Sequence, residues 1–313
     1  MRILITGGAG FLGANLAELL VARGGSVIVI DDLSTGRQEN LQGVVANENF
    51  TFVEADVCEP YYFEVDQIYN LACPASPPHY QRDPIKTTMT CVLGMKNALD
   101  LAQQTGATVL QASTSEVYGD PDRHPQSESY RGNVNPIGPR SCYDEGKRVA
   151  ESLCFDYQRY HGTKIKVARI FNTYGAKMRG GDGRIVSNMI VAALNSEPLT
   201  VYGDGSQTRS FCYVNDLVGG LIAVMNDTLT SGPYNVGNPD ERTVLDVAEI
   251  IRQRLDGALT ITHLDLPVDD PRQRCPDITR LSSETSWQPT TAFASGLVKT
   301  IAYFIQEMPS QYN

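Results

Sequence analysis

Four side chains between positions 114 and 147 carry the groups that a hydride-transfer reaction requires. Thr114 and Glu116 supply a hydroxyl and a carboxylate, and Tyr143 precedes Lys147 by four positions. Residues four apart share one face of a helix, so we expect the Lys147 ammonium to lie beside the Tyr143 hydroxyl. A nearby positive charge favours the ionised phenol, which predicts that Tyr143 is a general base near neutral pH. The sequence thus predicts a catalytic group of Thr114, Glu116, Tyr143 and Lys147.

The start of the chain has the order strand, glycine-rich turn and helix. An apolar run covers residues 2–6, a turn with several glycines follows it, and a helical pattern of leucines comes next. Such glycines let the backbone turn tightly and approach a pyrophosphate, while the helix N-terminus offers free N–H groups to it. We therefore predict that a dinucleotide binds at Gly7, Gly10, Phe11, Leu12 and Gly13.

Two acidic residues, Asp31 and Asp32, follow the second predicted strand. An acidic side chain at this place accepts hydrogen bonds from the adenosine ribose and repels a 2′-phosphate, which favours NAD over NADP. Arg37 is a nearby cation of the kind that would instead favour NADP. Asp56, at the end of the third predicted strand, is expected to bind the adenine edge. The other predicted cofactor contacts are Ser34, Thr35, Gly36, Val57 and Leu71.

Strands and helices alternate regularly up to residue 172 and less regularly beyond it. Predicted strands cover residues 2–6, 26–30, 50–55, 67–73, 108–113 and 164–171, with predicted helices at 84–106 and 143–161. This alternation predicts an α/β fold: a doubly wound parallel sheet (Rossmann) with a smaller mixed α/β substrate-binding lobe. We assign residues 1–172 with 211–230 to the dinucleotide-binding domain, and residues 173–210 with 231–313 to the substrate domain.

Composition excludes several classes of protein. The 313 residues carry a formal charge of −10, which argues against a nucleic-acid partner. Seven scattered cysteines form no Cys-x-x-Cys pair, so we expect reduced thiols with neither a zinc site nor a disulfide framework. The first strand follows Met1 without room for a signal peptide, and no apolar run matches a bilayer. These features predict a soluble cytoplasmic protein without a membrane partner or a metal.

Long motifs give a specific resemblance over nearly the whole chain. They occupy residues 72–78, 112–121, 132–148, 169–175 and 202–209. With them the chain resembles the extended short-chain dehydrogenases of the NAD-dependent epimerase/dehydratase family, and within these it is most similar to the UDP-glucuronate decarboxylase (UDP-xylose synthase) group. The resemblance implies tightly bound NAD, a homodimer formed through helices 84–105 and 141–161, and conversion of a nucleotide-linked glucuronic acid to the xylose sugar with loss of carbon dioxide.

The resemblance also implies a set of substrate-binding residues. Glu116 and Arg209 match family positions near the sugar carboxylate. The positions that match residues holding the nucleotide and diphosphate are Tyr62, Asn97, Tyr157, Asn172, Arg184, Tyr202, Gln207 and Arg272. Met89 and Cys91 depart from the pattern, since relatives commonly carry Lys and Asn there. The loss of that lysine leaves UDP and dTDP open as the nucleotide.

Three alternatives stay open at this point. A 4-epimerase shares the C4 oxidation but must rotate the keto sugar before reduction. A 4,6-dehydratase usually needs an Asp-Glu pair beside the catalytic Thr, and here Ser115 stands at the Asp position. A non-catalytic dinucleotide-binding regulator typically lacks the Tyr or the Lys, whereas this chain has both.

Overall fold

A seven-stranded parallel sheet forms the centre of the computed structural model, which describes residues 1–228, 230–267 and 269–311. Across the sheet the strands follow the order β11-β6-β5-β4-β1-β2-β3, and every neighbouring pair is parallel. They are β1 (Arg2–Thr6), β2 (Ser26–Asp31), β3 (Phe50–Glu54), β4 (Gln67–Asn70), β5 (Thr108–Thr114), β6 (Ile165–Ile170) and β11 (Tyr234–Val236).

Helices cover both faces of this sheet, as the doubly wound prediction requires. The helices of the described chain, in both lobes, are α1 (Phe11–Ala22), α2 (Pro77–Tyr80), α3 (Pro84–Met89), α4 (Met95–Thr105), α5 (Ser141–His161), α6 (Ile185–Leu194), α7 (Val214–Asn226), α8 (Val244–Leu255), α9 (Thr279–Thr285) and α10 (Phe293–Gln311). In β1, Ile3 and Ile5 belong to the core formed with α1 and α7, whereas Leu4 belongs to the core formed with α4 and α5. Successive strand residues point to opposite faces, and both faces are apolar because both are buried.

Short strands form three small sheets outside the large one. Four pairings hold them: β8 (Leu199–Tyr202) with β13 (Ile261–Leu264), β9 (Thr208–Ser210) with both β12 (Glu241–Thr243) and β14 (Gln273–Arg274), and β7 (Thr173–Tyr174) with β10 (Cys212–Tyr213). The β9–β12 pair is antiparallel and the others are parallel. The predicted doubly wound sheet with a smaller mixed lobe is therefore confirmed.

The structure differs from the sequence expectations in some boundaries. We assigned residues 231–236 to the smaller lobe, but β11 pairs with β6 at the edge of the large sheet. The predicted helix 84–106 contains a π-helical turn, Thr90–Gly94, between α3 and α4. Its start is as expected, because the Asp83 side chain accepts a hydrogen bond from the Lys86 N–H at 2.9 Å. The division of the remaining residues into two domains stays a prediction.

Two findings concern membrane-spanning helices and the state of the cysteines. Within the described ranges, none of the helices combines the length and apolar character needed to cross a bilayer. All seven cysteines are free thiols.

Candidate active site

A cavity of about 1420 Å³ opens at the carboxyl end of the large sheet. Its walls include the segments that follow β1, β2, β4, β5 and β6, together with residues of the smaller lobe. Open parallel sheets bind ligands at this edge, because the strands end there and the following loops diverge. The cavity exceeds the volume of a typical small-molecule pocket, so it has room for a dinucleotide and a second ligand.

The turn between β1 and α1 is shaped for a phosphate group. Gly7 has φ +68, and a Cβ there would lie 2.7 Å from the Ala72 Cα. A Cβ on Gly13 would lie 2.4 Å from the Gly7 carbonyl oxygen, so both positions need glycine. No side chain in the described residues caps α1, whose first-turn N–H groups have no partner within the helix. The predicted contacts Gly7, Gly10, Phe11, Leu12 and Gly13 all line the cavity, and they fit a dinucleotide pyrophosphate.

Asp31 and Asp32 line the same half of the cavity. The Asp31 carboxylate accepts hydrogen bonds from the Ala9 and Leu33 N–H groups, both at 2.9 Å. Burial raises the pKa of Asp31, and these two bonds oppose that shift. A Cβ on Gly36 would lie 2.7 Å from Asp31 Oδ1, so glycine leaves room for the carboxylate although Gly36 does not itself line the cavity.

The remaining cofactor predictions divide into two groups. Ser34, Thr35, Val57 and Leu71 line the cavity. Asp56 does not line it, because its carboxylate forms an ion pair with Lys86 and accepts a bond from the Cys58 N–H. Burial raises the pKa of Asp56, but these two partners outweigh it and the net shift is downward. Contact between Asp56 and adenine stays a prediction. Lys86, the ion-pair partner of Asp56, itself lines the cavity.

We expect the protein to bind NAD at least tenfold more tightly than NADP. Asp31 and Asp32 would face the 2′-phosphate of NADP with negative charge. Arg37 also lines the cavity, but its Nη2 lies 3.1 Å from the Tyr303 hydroxyl and 3.4 Å from Glu307, which offsets its charge. Calorimetric titration of both dinucleotides measures the ratio, and equal affinities would contradict the assignment of Asp31.

The structure brings the four predicted catalytic residues together where β5 ends. Thr114 is the last residue of β5, and its Oγ1 accepts a hydrogen bond from the Glu116 N–H at 3.2 Å. The Tyr143 ring stacks on Tyr80 with centroids 5.1 Å apart. Lys147 Nζ lies 5.8 Å from the Tyr143 ring centroid and donates to the Ala112 carbonyl at 2.9 Å. All four line the cavity, and the hydroxyl, phenol and ammonium are therefore available to one substrate.

The pKa of the Tyr143 hydroxyl depends mainly on its burial. Burial raises the pKa of Tyr143 well above its ordinary value, and Cys73, Cys91 and Glu116 act in the same direction. The hydrogen bond with Thr114 opposes this shift. In the protein without a bound cofactor, burial therefore outweighs the groups that favour ionisation of the phenol. The role of Tyr143 as a general base stays a prediction, in which the positive charge of the bound cofactor acts together with that of Lys147.

Glu116 lies at the centre of an arginine cluster. Its Oε2 accepts hydrogen bonds from Arg140 Nη2 at 2.7 Å and from Arg274 Nη2 at 2.9 Å. Asp270 joins Arg140, at 3.2 Å, to Arg209, at 2.9 Å. Burial raises the pKa of Glu116, but the three arginines outweigh it and the net shift is downward. Glu116 is thus ionised, and three guanidinium groups facing two carboxylates leave one positive charge here.

The predicted substrate residues are only partly brought together. Asn172, Arg184, Tyr202, Gln207 and Arg209 line the cavity. Tyr62, Asn97, Tyr157 and Arg272 are not among the described residues that line it, so their contact with a substrate stays a prediction. Tyr62 is 57% exposed beside Glu64. Asn97 donates to the Val57 and Glu59 carbonyls, and the Tyr157 hydroxyl donates to Asp100. The polar groups of Tyr62, Asn97 and Tyr157 therefore form hydrogen bonds with other residues of the protein.

The structure also locates Met89 and Cys91, the two residues that depart from the family pattern. Met89 is 40% exposed on α3 and is not among the described residues that line the cavity. Cys91 is buried in the π-helical turn.

Sequence reasoning missed Arg140, Arg274 and Asp270 as site residues. Arg140 precedes Tyr143 by three positions within a motif that carries the resemblance, so its place in the motif was an available signal. Arg274 is 158 residues from Glu116 and no local pattern connects them. Arg274 is nevertheless almost fully buried, at 1% exposed, and also donates to the Ser115 and Gly119 carbonyls.

Asp144 gives the fold a pH dependence. Burial and the nearby Glu116 raise the pKa of Asp144 to about 8, from an ordinary value of 3.8. The unfolded chain releases this proton near the ordinary value, so the folded state loses stability as pH rises between the two values. Asp144→Asn cannot ionise, and we expect its Tm to fall less between pH 5 and pH 8 than that of the unmodified protein. Asp156→Asn, exposed on the same helix, is the matched control; equal falls in both variants would contradict the assignment.

The comparisons with known proteins agree with this geometry. The chain is 52% identical over 312 residues to UDP-glucuronic acid decarboxylase 1 of Danio rerio, covering 100% of this chain and 74% of that protein. It is 52% identical over 305 residues to UDP-glucuronic acid decarboxylase 1 of Arabidopsis thaliana, covering 97% and 70%. The crystal structure of DesIV, a dTDP-glucose 4,6-dehydratase from Streptomyces venezuelae with NAD bound, superposes with a TM-score of 0.90 at 25% identity, covering 99% and 98%. The family model matches residues 3–237, and the chain therefore belongs to the NAD dependent epimerase/dehydratase family.

Proposed function

We propose that this protein is an NAD-dependent carboxy-lyase that converts a nucleotide-linked glucuronic acid to the nucleotide-linked xylose. One observation carries the proposal: the catalytic pair Tyr143 and Lys147 shares its cavity with Glu116, Arg140 and Arg209. Buried Arg274 binds Glu116 from outside the cavity lining. The printed names of the similar decarboxylases support UDP as the nucleotide. A dTDP-linked substrate is tested beside it.

The glycine turn and Asp31 would hold NAD, which when bound would supply the reversible hydride acceptor for C4 of the sugar. Tyr143 takes the proton of the C4 hydroxyl, and its phenolate needs positive charge from Lys147 and the bound cofactor because burial opposes ionisation. Thr114 donates a hydrogen bond to the same oxygen. The result is a 4-keto sugar whose C6 carboxylate is β to the ketone.

Loss of carbon dioxide then follows from the chemistry of a β-keto acid. The C5–C6 bond breaks, its electrons form an enolate, and the enolate oxygen accepts hydrogen bonds from Thr114 and from Tyr143, now protonated. The arginine cluster supplies the positive charge that attracts the sugar carboxylate, while ionised Glu116 keeps these guanidinium groups in place. Protonation at C5 and reduction at C4 complete a cycle without net redox change.

The dehydratase alternative is disfavoured by the residue beside Thr114. That reaction needs an acidic side chain there, whereas Ser115 is 1% exposed and has no carboxylate. A 4-epimerase needs no group that recognises a sugar carboxylate, so the arginine cluster would have no function in it. A regulator without activity would need neither Tyr143 nor Lys147.

The experiment is incubation of the purified protein with UDP-glucuronic acid and, separately, with dTDP-glucuronic acid. We expect a product lighter than the substrate by one carbon dioxide. A product that retains six carbons would overturn the proposal, and the better of the two substrates identifies the nucleotide.

We further propose that the protein is a homodimer formed through helices 84–105 and 141–161, which correspond to α3 with α4 and to α5. Four apolar side chains on these helices are exposed: Ile85 (76%), Met89 (40%), Val149 (41%) and Tyr160 (85%). An apolar surface of this kind on helices is typical of a subunit interface. Free thiols and an acidic surface also agree with a cytoplasmic location, which stays a proposal.

Charged substitutions test the dimer. Ile85→Glu and Val149→Glu are each expected to shift the mass in solution from two chains toward one, because an unpaired carboxylate in an apolar interface is costly. Light scattering after size exclusion measures the mass. Val298→Glu is the matched control, since Val298 is 50% exposed on α10. A monomeric unmodified protein would contradict the proposal.

A further inference from the structure

Two thiols meet in the wall of the catalytic cavity. The sulfur atoms of Cys73 and Cys91 lie 3.3 Å apart. Cys73 follows β4 and lines the cavity, whereas Cys91 lies behind it in the π-helical turn and is 3% exposed. Cys91 packs against α5, because a Cβ on Gly146 would lie 3.0 Å from the Cys91 Cβ. Gly146 immediately precedes Lys147, so the thiol pair borders the catalytic residues directly.

We propose that Cys73 and Cys91 form an oxidative modification site, at which a peroxide converts the two thiols to a disulfide and reversibly stops turnover. The loss of turnover rests on the proposed function, but formation of the disulfide does not. All seven cysteines are free thiols, including Cys73 and Cys91. A disulfide that forms between such thiols in a reducing compartment is typically transient and redox-sensing.

The geometry requires only a small movement. A disulfide has a sulfur–sulfur distance of about 2.05 Å, so the two sulfurs must approach by roughly 1.3 Å. Cys73 is part of the cavity wall, so an oxidant that enters the cavity meets the Cys73 sulfur, and Cys91 is the direct neighbour of that sulfur. The third thiol of this region, Cys142, interacts instead with the Tyr80 carbonyl at 3.6 Å.

The chemistry balances with hydrogen peroxide as the oxidant. A hydrogen bond from Cys73 lowers the pKa of Cys91 to about 7, and Lys147 acts in the same direction against burial. The Cys91 thiolate accepts the proton of the Cys73 thiol, and the Cys73 sulfur, which lines the cavity, attacks one peroxide oxygen. The O–O bond breaks, a sulfenic acid forms on Cys73, and the other oxygen leaves as hydroxide, which becomes water with the proton held by Cys91. The Cys91 thiolate then attacks the Cys73 sulfur, and the hydroxide that leaves becomes water with the proton that Cys91 first released to solvent. Two thiols lose two electrons, and one peroxide becomes two waters.

The new bond would change the catalytic wall. It joins the segment after β4 to the π-helical turn that packs against α5 beside Lys147. Closing the gap moves one of these segments, and proton transfer by Tyr143 depends on positions within a fraction of an ångström. We expect turnover to fall at least tenfold on oxidation and to return with dithiothreitol.

The test treats the purified 313-residue protein with hydrogen peroxide, removes the excess with catalase, and measures thiols, cross-linked peptides and turnover. We expect two thiols to be lost, a Cys73–Cys91 cross-link in the non-reduced peptide map, and inactivation that dithiothreitol reverses. Cys73→Ser and Cys91→Ser should each lose the cross-link and resist inactivation relative to their own untreated activity. Cys142→Ser should respond like the unmodified protein.

Three results would overturn the proposal. They are a cross-link through Cys142, equal inactivation of Cys91→Ser, and full turnover of the cross-linked protein. Phenylarsine oxide, which bridges two close thiols, gives a second measurement, and we expect it to bind the unmodified protein but neither single-serine variant. Because thiols and cross-links are counted without substrate, a protein that failed to decarboxylate glucuronic acid would still give a clear result for the thiol pair.

Discussion

Tyr143→Phe is expected to lower turnover by about 10²- to 10⁴-fold, the usual contribution of a general base. The substitution removes the hydroxyl that takes the C4 proton but keeps the ring that stacks on Tyr80. Binding of NAD and of the nucleotide sugar should therefore change little. Steady-state product formation and calorimetric titration of both ligands measure the two effects separately.

Tyr160→Phe is the matched control, because Tyr160 lies on the same helix and is 85% exposed. It should keep the turnover of the unmodified protein. Comparable turnover in Tyr143→Phe would show that another group is the base, and a large loss of NAD binding would show that the role of Tyr143 is mainly structural.

Glu116→Gln is expected to slow carbon dioxide release far more than C4 oxidation. The variant keeps the shape of the side chain but removes the charge that holds Arg140 and Arg274. Truncating or neutralising one member of a buried charged network commonly costs about 3–5 kcal/mol, which corresponds to more than a hundredfold in rate if it acts on the transition state. The 4-keto acid should then accumulate, because oxidation depends on Tyr143.

Reduction with borodeuteride after rapid quenching detects this intermediate. A six-carbon nucleotide sugar with deuterium at C4 is the expected product from Glu116→Gln. Glu145→Gln, a change of the same type in a half-buried residue of α5, serves as the control and should give no such species. A variant in which oxidation and decarboxylation fall equally would contradict the separate role of Glu116.

Local patterns predicted the glycine turn between β1 and α1 and the position of Asp31. These features depend on residues close together in the sequence, and the residues of the turn and Asp31 line the cavity. The spacing of Tyr143 and Lys147 likewise placed both side chains in one cavity, because four positions on a helix fix a common face.

Long-range features could not be predicted in this way. Arg274 reaches Glu116 only through the pairing of β14 with β9, and two-residue strands leave no recognisable pattern. The pKa of Tyr143 depends on burial, which is a property of the assembled fold. Tyr62, Asn97 and Tyr157 were assigned by resemblance alone, and their side chains bind other partners in this structure.

The most direct test of the central claim is turnover of the preferred nucleotide-linked glucuronic acid in heavy water. C5 becomes an enolate carbon and must take its new hydrogen from solvent or from an exchanged acid, whereas the hydrogen at C4 is removed and returned without exchange. Nuclear magnetic resonance of the product should show deuterium at C5 of a pentose and none at C4. Deuterium at C4, or a product that retains six carbons, would contradict the mechanism.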